Sequence, residues 1–517
     1  MKSVSIIGSG PSGFYTAYQL VKKCKDRIPL NITIWEKLPT PFGLSRYGVA
    51  PDHPEVKNCE ATFMELMEEA NKHQHTADGP IHRVNFVGNY DINSTKLRKL
   101  RGMQDAVVLS YGCGDDRKLG IPGEQGTIGV VSSRNFVNWY NSYPVNDQTP
   151  TEHWQTPEFW KTVKNVGIIG NGNVALDLTR VLLMSKANPD FWKQTDMNEN
   201  VVNVIQNSNI KSVKVIGRRG YLESKFTNKE FRELWELEQY GIKGIIKEEF
   251  LAQVKDPNAA PLDRQNKRRL EMITEFQKPF EQRSKKYQKY KMPAEIEASK
   301  YSWEFDYLKT PFEILRNEDS KKIEKLVLKQ NHFVDNSYKV DESKPLVEYP
   351  VDLLITSLGY KGKNIDAPEG ENHIKWNDRG GYIANRNGAV LNANDEIIPG
   401  LFCSGWIKKG SAGVIATTMM DSFAVADEVF KYISAPSGTS TKVAAQQEQN
   451  THKLVDSLSA LESSALEPSK GIAKSPSIVS WSDWLALNRY ELGKDGIRSK
   501  VLNEKDMFSV IKAAKNS

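Results

Sequence analysis

Short apolar, β-branched runs alternate with glycine turns and helix-period stretches along this chain. The first run covers residues 2–7 and leads directly into Gly8-Ser9-Gly10-Pro11-Ser12-Gly13. A helical stretch over 14–25 and a second apolar run over 32–35 follow, and the second run ends at Glu36. Strand, glycine turn, helix, strand and acid in this order are typical of a dinucleotide-binding unit.

Each glycine of this turn has its own predicted role. Gly8 allows the tight turn, Gly10 lets the backbone approach a pyrophosphate, and Gly13 lets the helix pack closely on the strand. The N-terminus of the helix offers free N–H groups to phosphates. Glu36 lies where a carboxylate would accept hydrogen bonds from a ribose. The alternative, a chance glycine turn, is the weaker interpretation because strand, helix and acid are all present.

The same pattern recurs later in the chain. A strand over 163–169 leads into Gly170-Asn171-Gly172-Asn173-Val174-Ala175 and a helix over 176–186. The next strand, over 212–217, ends in Arg218-Arg219, where an acid would bind the free 2′-hydroxyl of NAD. Paired guanidiniums instead suit the 2′-phosphate of NADP, although a solvated basic turn is the alternative. Two such units in one chain indicate a flavin paired with a nicotinamide.

The remaining pattern completes an α/β fold with two Rossmann-like dinucleotide-binding domains. Further strands are predicted over 84–88, 105–111 and 351–357, and an amphipathic helix over 56–72. A helix from Gly413 to about 432 would point its N-terminus at the flavin.

Composition narrows the function classes. The 517 residues predict two to four domains, and 39% hydrophobic with 26% charged residues is ordinary for a globular protein. A net charge of +6 suits an acidic partner but is too small to indicate nucleic acid binding. The sequence shows no membrane-spanning apolar run, no signal peptide and no Arg- and Ser-rich presequence. The four cysteines form no CxxC pair, which disfavours a structural zinc site or a dithiol relay and predicts no metal.

The segment 38–58 is the most distinctive of the chain. Its prolines and glycines exclude a regular helix or strand, and so long a loop is usually functional, a structural surface loop being the alternative. Together with the first glycine turn it resembles the adrenodoxin reductase family, the mitochondrial-type NADPH:ferredoxin oxidoreductases, most of all their fungal members. The resemblance runs from residue 3 to about 430 and resumes near Trp481.

The resemblance implies an FAD-binding domain split in sequence, with an NADP-binding domain inserted into it. The expected boundaries are 1–112 and 358–433 for the FAD-binding domain and 113–357 for the NADP-binding domain. Residues 434–478, rich in Ser, Ala, Gln and Lys, are expected to form a flexible low-complexity insertion, helical at most in part. Residues 479–517 are expected to pack back on the FAD-binding domain.

The glycine turns and the resemblance together give the candidate site residues. The FAD-binding candidates are Gly8, Gly10, Ser12, Gly13, Glu36, Leu44, Val87, Trp406, Gly413, Val414 and Ile415. The NADP-binding candidates are Gly170, Asn171, Gly172, Asn173, Val174, Arg218, Arg219, Glu230 and Gly413. The resemblance assigns ferredoxin docking to Arg232, Lys267, Arg268 and Arg269, for which a solvated helix face is the alternative.

The implied activity is transfer of a hydride from NADPH to FAD, followed by single electrons to an acidic [2Fe–2S] ferredoxin. It would feed iron–sulfur cluster assembly or haem- and steroid-type hydroxylation in the mitochondrion, as a monomer with at most peripheral membrane association. The chemistry requires no nucleophile or general base. His53 and Asp177 are candidates for a polar network near the flavin, and His53 has a turn-stabilising role as its alternative.

Three other functions compete with this one. A thioredoxin-reductase-like enzyme needs a dithiol, which the cysteine spacing excludes. A flavin monooxygenase or a glutamate-synthase-type subunit, with a different electron acceptor, is disfavoured by the 38–58 loop and by Gly405-Trp406, where the wider flavoprotein families have Gly-Asp. A non-catalytic scaffold that retains the fold is disfavoured by the complete nucleotide turns.

Overall fold

Two sheets of mainly parallel strands form the frame of the protein. In each sheet, one strand leads directly into one of the predicted glycine turns. The computed structural model describes residues 1–25, 27–72, 82–146, 149–251, 261–289, 300–334, 337–366, 373–435, 451–465, 478–493 and 496–516.

Within these residues the strands are β1 (Lys2–Ile7), β2 (Leu30–Trp35), β3 (Arg83–Val87), β4 (Ala106–Leu109), β5 (Asp115–Asp116), β6 (Val130–Ser132), β7 (Asn165–Ile169), β8 (Ser212–Ile216), β9 (Ile242–Ile246), β10 (Tyr301–Asp306), β11 (Lys309–Arg316), β12 (Ile323–Val334), β13 (Ser337–Val340), β14 (Val347–Pro350), β15 (Leu353–Thr356), β16 (Tyr360–Lys361), β17 (Trp376–Asn377), β18 (Tyr382–Ile383), β19 (Asn385–Arg386), β20 (Ala389–Leu391) and β21 (Ile397–Cys403).

The α-helices are α1 (Pro11–Cys24), α2 (Leu44–Tyr47), α3 (Cys59–Lys72), α4 (Ser94–Met103), α5 (Ser133–Tyr140), α6 (Pro157–Trp160), α7 (Asn173–Ala187), α8 (Glu199–Gln206), α9 (Asn228–Glu236), α10 (Arg264–Phe276), α11 (Trp406–Lys409), α12 (Ile415–Ser434), α13 (Thr451–Ala465), α14 (Trp481–Leu492) and α15 (Glu504–Asn516). Short 3₁₀ helices lie at Pro54–Asn58, His153–Gln155, Pro189–Gln194, Tyr221–Glu223, Leu237–Tyr240, Glu248–Leu251, Phe280–Gln282 and Lys285–Tyr287.

The first sheet has the strand order β19-β20-β21-β4-β1-β2-β3, and the five strands from β21 to β3 run parallel. In register, Ile7 lies opposite both Trp35 and Leu109, and Leu109 lies opposite Cys403. The carboxyl ends of these strands therefore share one edge. The predicted FAD-binding segments that follow β1, β2 and β21 begin at that edge.

The second sheet has the order β6-β15-β7-β8-β10-β9, and all of its pairs are parallel. Ile169 lies opposite Ile216, which brings the second glycine turn and the Arg218-Arg219 turn to one edge. The α/β class with two Rossmann-like units is thereby confirmed, whereas the domain boundaries remain a prediction. An antiparallel sheet of β11, β12, β13 and β14, which no sequence pattern indicated, packs beside the second sheet.

Helices cover both faces of the first sheet. On one face α1 and α12 pack against each other and against α3, and Phe14 and Val425 are buried there. On the other face α4 and α13 pack together, with Leu454 and Leu458 in the same apolar cluster as Leu97.

The helix α13 lies within the predicted insertion over 434–478 and is the helical part of that segment among the described residues. Its residues Leu454, Val455 and Leu458 are buried, because their spacing places three apolar side chains on the face toward the sheet. Residues 436–450 and 466–477 of this insertion lie outside the described residues.

Two predicted helix starts also differ from the structure. The helix predicted from residue 56 begins at Cys59, because Pro54–Asn58 forms a 3₁₀ helix. The helix predicted from Gly413 begins at Ile415, because Gly413 has a φ of +87°, outside the helical region. In the described part of the chain, no helix combines the length and apolar character that crossing a membrane requires.

Candidate functional site

In the first glycine turn, Gly8 and Gly13 are packed tightly against neighbouring main-chain atoms, whereas Gly10 is open. Gly8 has a φ of +106°, and a Cβ there would lie 2.6 Å from the Ser110 carbonyl oxygen. A Cβ on Gly13 would lie 2.1 Å from the Gly8 carbonyl oxygen, so α1 approaches β1 as closely as only glycine permits. A Cβ on Gly10 would meet nothing within 4 Å. The open side of the turn is therefore at Gly10, where a pyrophosphate is expected.

Glu36 lies beside this turn at the end of β2 and is 8% exposed. Its Oε2 accepts hydrogen bonds from the Ser9 main-chain N–H (3.1 Å) and from Ser9 Oγ (2.7 Å), and Oε1 accepts from the Leu38 N–H (3.0 Å). These bonds fix the carboxylate at the sheet edge. A carboxylate can accept about four hydrogen bonds, so it retains capacity for a ribose hydroxyl.

The other FAD-binding candidates from the first half lie around the same edge. Val87 is buried at the end of β3, and Leu44 is 38% exposed at the start of α2. The Ser12 hydroxyl is 2.8 Å from Ser404 Oγ and 3.1 Å from Ser422 Oγ, in a buried ring of three hydroxyls. The Ser12 side chain thus joins α1 to α12.

The candidates from the second half lie at the start of α11, for Trp406, and at the start of α12, for the other three. Trp406 is half-buried, whereas Gly413 and Val414 are exposed and Ile415 opens the helix. The buried hydroxyl ring holds this helix against α1, because Ser422 belongs to α12. The start of α1 therefore packs against the second turn of α12.

The second glycine turn repeats the geometry of the first. Gly170 has a φ of +116°, and a Cβ there would lie 2.2 Å from the Ser357 carbonyl oxygen, whereas a Cβ on Gly172 would meet nothing within 4 Å. Asn173 Oδ1 accepts a hydrogen bond from the Thr227 N–H (2.8 Å). The Asn171 amide reaches the same loop through Ser224 Oγ (3.4 Å), and Val174 packs partly against the core.

Capping separates the helices at these turns from others in the fold. The N-termini of α1, α7 and α12 have no side-chain cap. By contrast, side chains cap α4, α5, α8 and α9, with Asn93, Ser132, Asn198 and Thr227 as the capping residues. Uncapped N–H groups beside an open glycine suit phosphate oxygens. The residues present therefore fit FAD at the first turn and NADP at the second.

The predicted NADP-selecting pair lies at the end of β8. Arg218 and Arg219 are both exposed, and their turn is at the same sheet edge as Gly170. Two exposed guanidiniums at this edge can form bidentate hydrogen bonds to a phosphate.

A buried cluster of charged side chains joins the two units. Arg180, on α7 and 3% exposed, contacts Asp52 Oδ2 from its Nε (2.8 Å), Asp177 Oδ1 (2.7 Å) and Glu230 Oε2 (2.8 Å). Glu230, an NADP-binding candidate, is therefore ion-paired. Arg180 was not among the predicted site residues, because its partners come from three segments, namely the 38–58 loop, α7 and α9. The spacing of Asp177 and Arg180, one helical turn apart after the glycine turn, was the available signal.

His53 and Asp177 both belong to this cluster. His53 Nε2 lies 2.9 Å from Glu233 Oε2, and His53 Nδ1 lies 3.6 Å from Glu230 Oε1. Burial lowers the pKa of His53, but the hydrogen bond to Glu233 and the charges of Asp52 and Glu230 together outweigh it, so the pKa is raised.

The pKa of Asp177 is raised to about 7 by burial, with Arg180 opposing and Glu230 adding to the shift. One carboxyl of the cluster thus holds a proton near neutral pH.

The four ferredoxin-docking candidates divide into two groups. Arg232 on α9 and Lys267 and Arg268 on α10 are exposed. Arg269 is 2% exposed, so its assignment to docking was wrong. Its guanidinium donates hydrogen bonds to the carbonyls of Ser224 (3.1 Å) and Phe226.

Two cavities lie along this basic face. One of about 380 Å³ is lined by Arg232, Glu233, Glu236, Phe276, Lys286, Tyr287 and Lys289. The other, of about 460 Å³, is lined by Thr227, Asn228, Arg264, Gln265 and Arg268. Exposed cations therefore surround concave surface on the α9 and α10 side of the second sheet.

Two open dinucleotide turns on separate parallel sheets define a pyridine-nucleotide oxidoreductase of the two-domain flavoprotein class. Residues 6–78 match the family model of NAD(P)-binding Rossmann-like domains. The chain is 51% identical over 436 residues to the probable mitochondrial NADPH:adrenodoxin oxidoreductase of Saccharomyces cerevisiae, covering 83% of this chain and 85% of that protein. It is 32% identical to the mitochondrial NADPH:adrenodoxin oxidoreductase of Homo sapiens, covering 98% of this chain and 91% of that protein.

Among solved structures, the chain resembles Mycobacterium tuberculosis FprA in complex with NADPH. The TM-score is 0.76 at 27% identity, with 99% of each chain covered. The chain belongs to the NADPH:adrenodoxin oxidoreductase family, and its resemblance to fungal members is confirmed.

Proposed function

We propose that this protein is a mitochondrial flavoenzyme that transfers electrons from NADPH through FAD to a ferredoxin. The names of its relatives, mitochondrial NADPH:adrenodoxin oxidoreductases, support this function. When bound, FAD would accept a hydride from NADPH and release the two electrons singly, as an iron–sulfur partner requires.

The observation that carries the proposal is the contrast between the two turns. Both leave a glycine open, Gly10 in the first and Gly172 in the second. The first is followed by the acid Glu36, and the second by the Arg218-Arg219 pair. An acid suits a free ribose and paired arginines suit a 2′-phosphate. One chain therefore offers one site for FAD and a different one for NADP.

The FAD site, in this proposal, consists of the first-turn glycines, the main-chain N–H of Ser12, and Glu36, with Leu44 and Val87 beside them. Trp406 at the start of α11 and Gly413, Val414 and Ile415 at the start of α12 complete it. The N-terminal N–H groups of α12 would stabilise negative charge on the reduced flavin. Residues 1–112 and 358–433 form the FAD-binding domain, and 479–517 pack against it.

The NADP site consists of Gly170, Asn171, Gly172, Asn173 and Val174 with the two arginines, in a domain over 113–357. Glu230 acts at its border through Arg180. The charged cluster ties the 38–58 loop to α7 and α9, which keeps the two sites in a fixed relation. Within it, Asp177 holds a proton near neutral pH, which limits the negative charge beside the reacting rings.

An acidic [2Fe–2S] ferredoxin is the electron acceptor in this proposal, and the protein acts as a monomer. Arg232, Lys267 and Arg268 are exposed, and Arg232 and Arg268 each line a cavity, which supports docking of an acidic partner. Docking by opposite charges accelerates encounter and weakens with salt.

The cofactor assignment is tested by changing Arg218 and Arg219 together to Ala in the flavin-loaded protein. Loss of two charge-assisted contacts should raise the KM for NADPH on the order of 100-fold and leave the KM for NADH nearly unchanged. Lys321→Ala with Lys322→Ala removes the same charge at the far end of β11 and serves as the control. Equal effects on NADPH and NADH would defeat the 2′-phosphate assignment.

A further inference from the structure

The turn that carries Arg218 and Arg219 is held from behind by the start of the antiparallel sheet. The Lys309 main-chain N–H donates to the Gly217 carbonyl (3.1 Å), and the Leu308 N–H donates to the Arg219 carbonyl (3.4 Å). Both donors belong to the junction between β10 and β11. The carbonyls on either side of Arg218 are therefore already bonded on the sheet side.

The carbonyl of Arg218 itself is bonded by a side chain from β12. Asn331 Nδ2 donates to it over 2.6 Å, and Asn331 is 5% exposed. Asn331 Oδ1 accepts a hydrogen bond from Thr310 Oγ1 (3.0 Å), and its main-chain N–H donates to the Leu308 carbonyl (2.8 Å). Because the Thr310 hydroxyl donates to the oxygen end of the amide, the nitrogen end must face Arg218.

The other end of the turn is closed by β13. Tyr338 Oη donates to Glu223 Oε2 (2.8 Å), and a Cβ on Gly220 would lie only 2.6 Å from Tyr338 Oη. The antiparallel sheet thus contacts the turn along its whole length. Arg218 and Arg219 themselves remain exposed beside these contacts.

We propose that Asn331 is a positioning residue that sets the preference of this protein for NADPH over NADH. It holds the Arg218 carbonyl and so directs the Arg218 and Arg219 side chains toward the 2′-phosphate. The inference rests on the proposed function, in which these two arginines bind that phosphate. A pre-ordered turn loses less conformational entropy when two long side chains close on a ligand, so it binds the ligand more tightly.

The test is Asn331→Leu in the flavin-loaded full chain, with ferricyanide as electron acceptor and NADPH or NADH as donor. Leucine has a similar size but neither donates nor accepts. We expect the KM for NADPH to rise about tenfold, while kcat and the KM for NADH change by less than about twofold. A merely structural role would change both KM values together.

Two further variants keep the test decisive. Thr310→Val removes only the bond that orients the Asn331 amide, and should raise the KM for NADPH about threefold. If the Asn331→Leu protein does not bind flavin, Thr310→Val serves as the test variant in its place. Gln330→Leu changes the neighbouring position of β12, whose amide donates to the Pro345 carbonyl instead, and should change neither KM.

The outcomes separate this inference from the proposed function. If the arginine pair changes the NADPH preference and Asn331→Leu does not, the inference fails and the 2′-phosphate assignment stands. If Asn331→Leu raises both KM values equally, its role is structural and the inference fails. If the arginine pair itself leaves the preference unchanged, the assignment fails and the inference with it.

Discussion

A fully buried ion pair joins helix α14 to the 38–58 loop. Breaking this ion pair should weaken flavin binding. Both carboxylate oxygens of Glu491 lie 2.6 Å from Arg46 Nη2, and the two side chains are 0% and 1% exposed. Arg498 Nη1 (3.1 Å) and the Val501 N–H (3.0 Å) also donate to this carboxylate. The change Glu491→Gln keeps the shape of the side chain, removes its charge and replaces one accepting oxygen by a donating amide.

The magnitude follows from burial. Burial lowers the pKa of Arg46, but Glu491 outweighs it, so Arg46 is charged at any ordinary pH. Without Glu491 this charge stays buried against the Trp484 ring, 5.0 Å away, with no carboxylate beside it. Removing one partner of a buried pair costs about 3–5 kcal/mol, and because glutamine still accepts hydrogen bonds we expect about 3 kcal/mol. That cost shifts the unfolding equilibrium about a hundredfold.

The assay is urea unfolding of the flavin-loaded protein, followed by the rise of flavin fluorescence on release. Arg46 lies two residues from Leu44 in the loop proposed to contact FAD, so flavin release should report the loss. The control is Glu348→Gln, which breaks the ion pair between Glu348 and Lys325. These side chains are 51% and 50% exposed, so this change should alter the urea concentration of flavin release very little. If Glu491→Gln releases flavin at the same urea concentration as the control, the reasoning from burial is refuted.

Two further predictions concern the charged cluster and the basic face. The pKa of Asp177 is raised from 3.8 to about 7 in the folded state. Between these two values the folded protein binds a proton that the unfolded chain has lost. The contribution of this proton to folding stability is therefore present at low pH and disappears as the pH rises through 7. Thermal melts should therefore show Asp177→Asn gaining stability relative to the unchanged protein between pH 5 and pH 8, by about 3 kcal/mol, and parallel pH profiles would contradict this. Arg268→Glu should lower ferredoxin-dependent turnover several-fold at low salt and leave ferricyanide reduction unchanged, and an equal loss in both assays would exclude a docking role.

The nucleotide turns could be predicted because their signal is local. Gly8, Gly10 and Gly13 lie within one strand-turn-helix unit, and Glu36 and Arg218 immediately follow the predicted strands over 32–35 and 212–217. Their positions at the sheet edges follow from the parallel register alone.

Burial decided by distant segments could not be predicted in the same way. Arg180 collects carboxylates from three separate segments, and Glu491 pairs with a residue far away in sequence. The basic residues 267–269 were treated as one exposed surface, although Arg269 is buried. It shares a helix face with Met272 and Ile273, three and four residues on, and this spacing was the overlooked sign that it faces the core.

The antiparallel sheet behind the Arg218 turn was also missed. Burial alternates only along its short strands β13 and β14, and no sequence pattern indicates which turn such a sheet will contact. The contact of Asn331 with Arg218 therefore emerged only from the fold.

The most direct test of the proposed function is NADPH-driven cytochrome c reduction by the purified, flavin-loaded protein, with and without a [2Fe–2S] ferredoxin, at low and high salt. The proposal predicts a rate that depends on ferredoxin, requires NADPH rather than NADH, and falls as salt screens the basic face. A colourless protein, or a yellow one that NADPH reduces but that passes no electrons to ferredoxin under either condition, would contradict it.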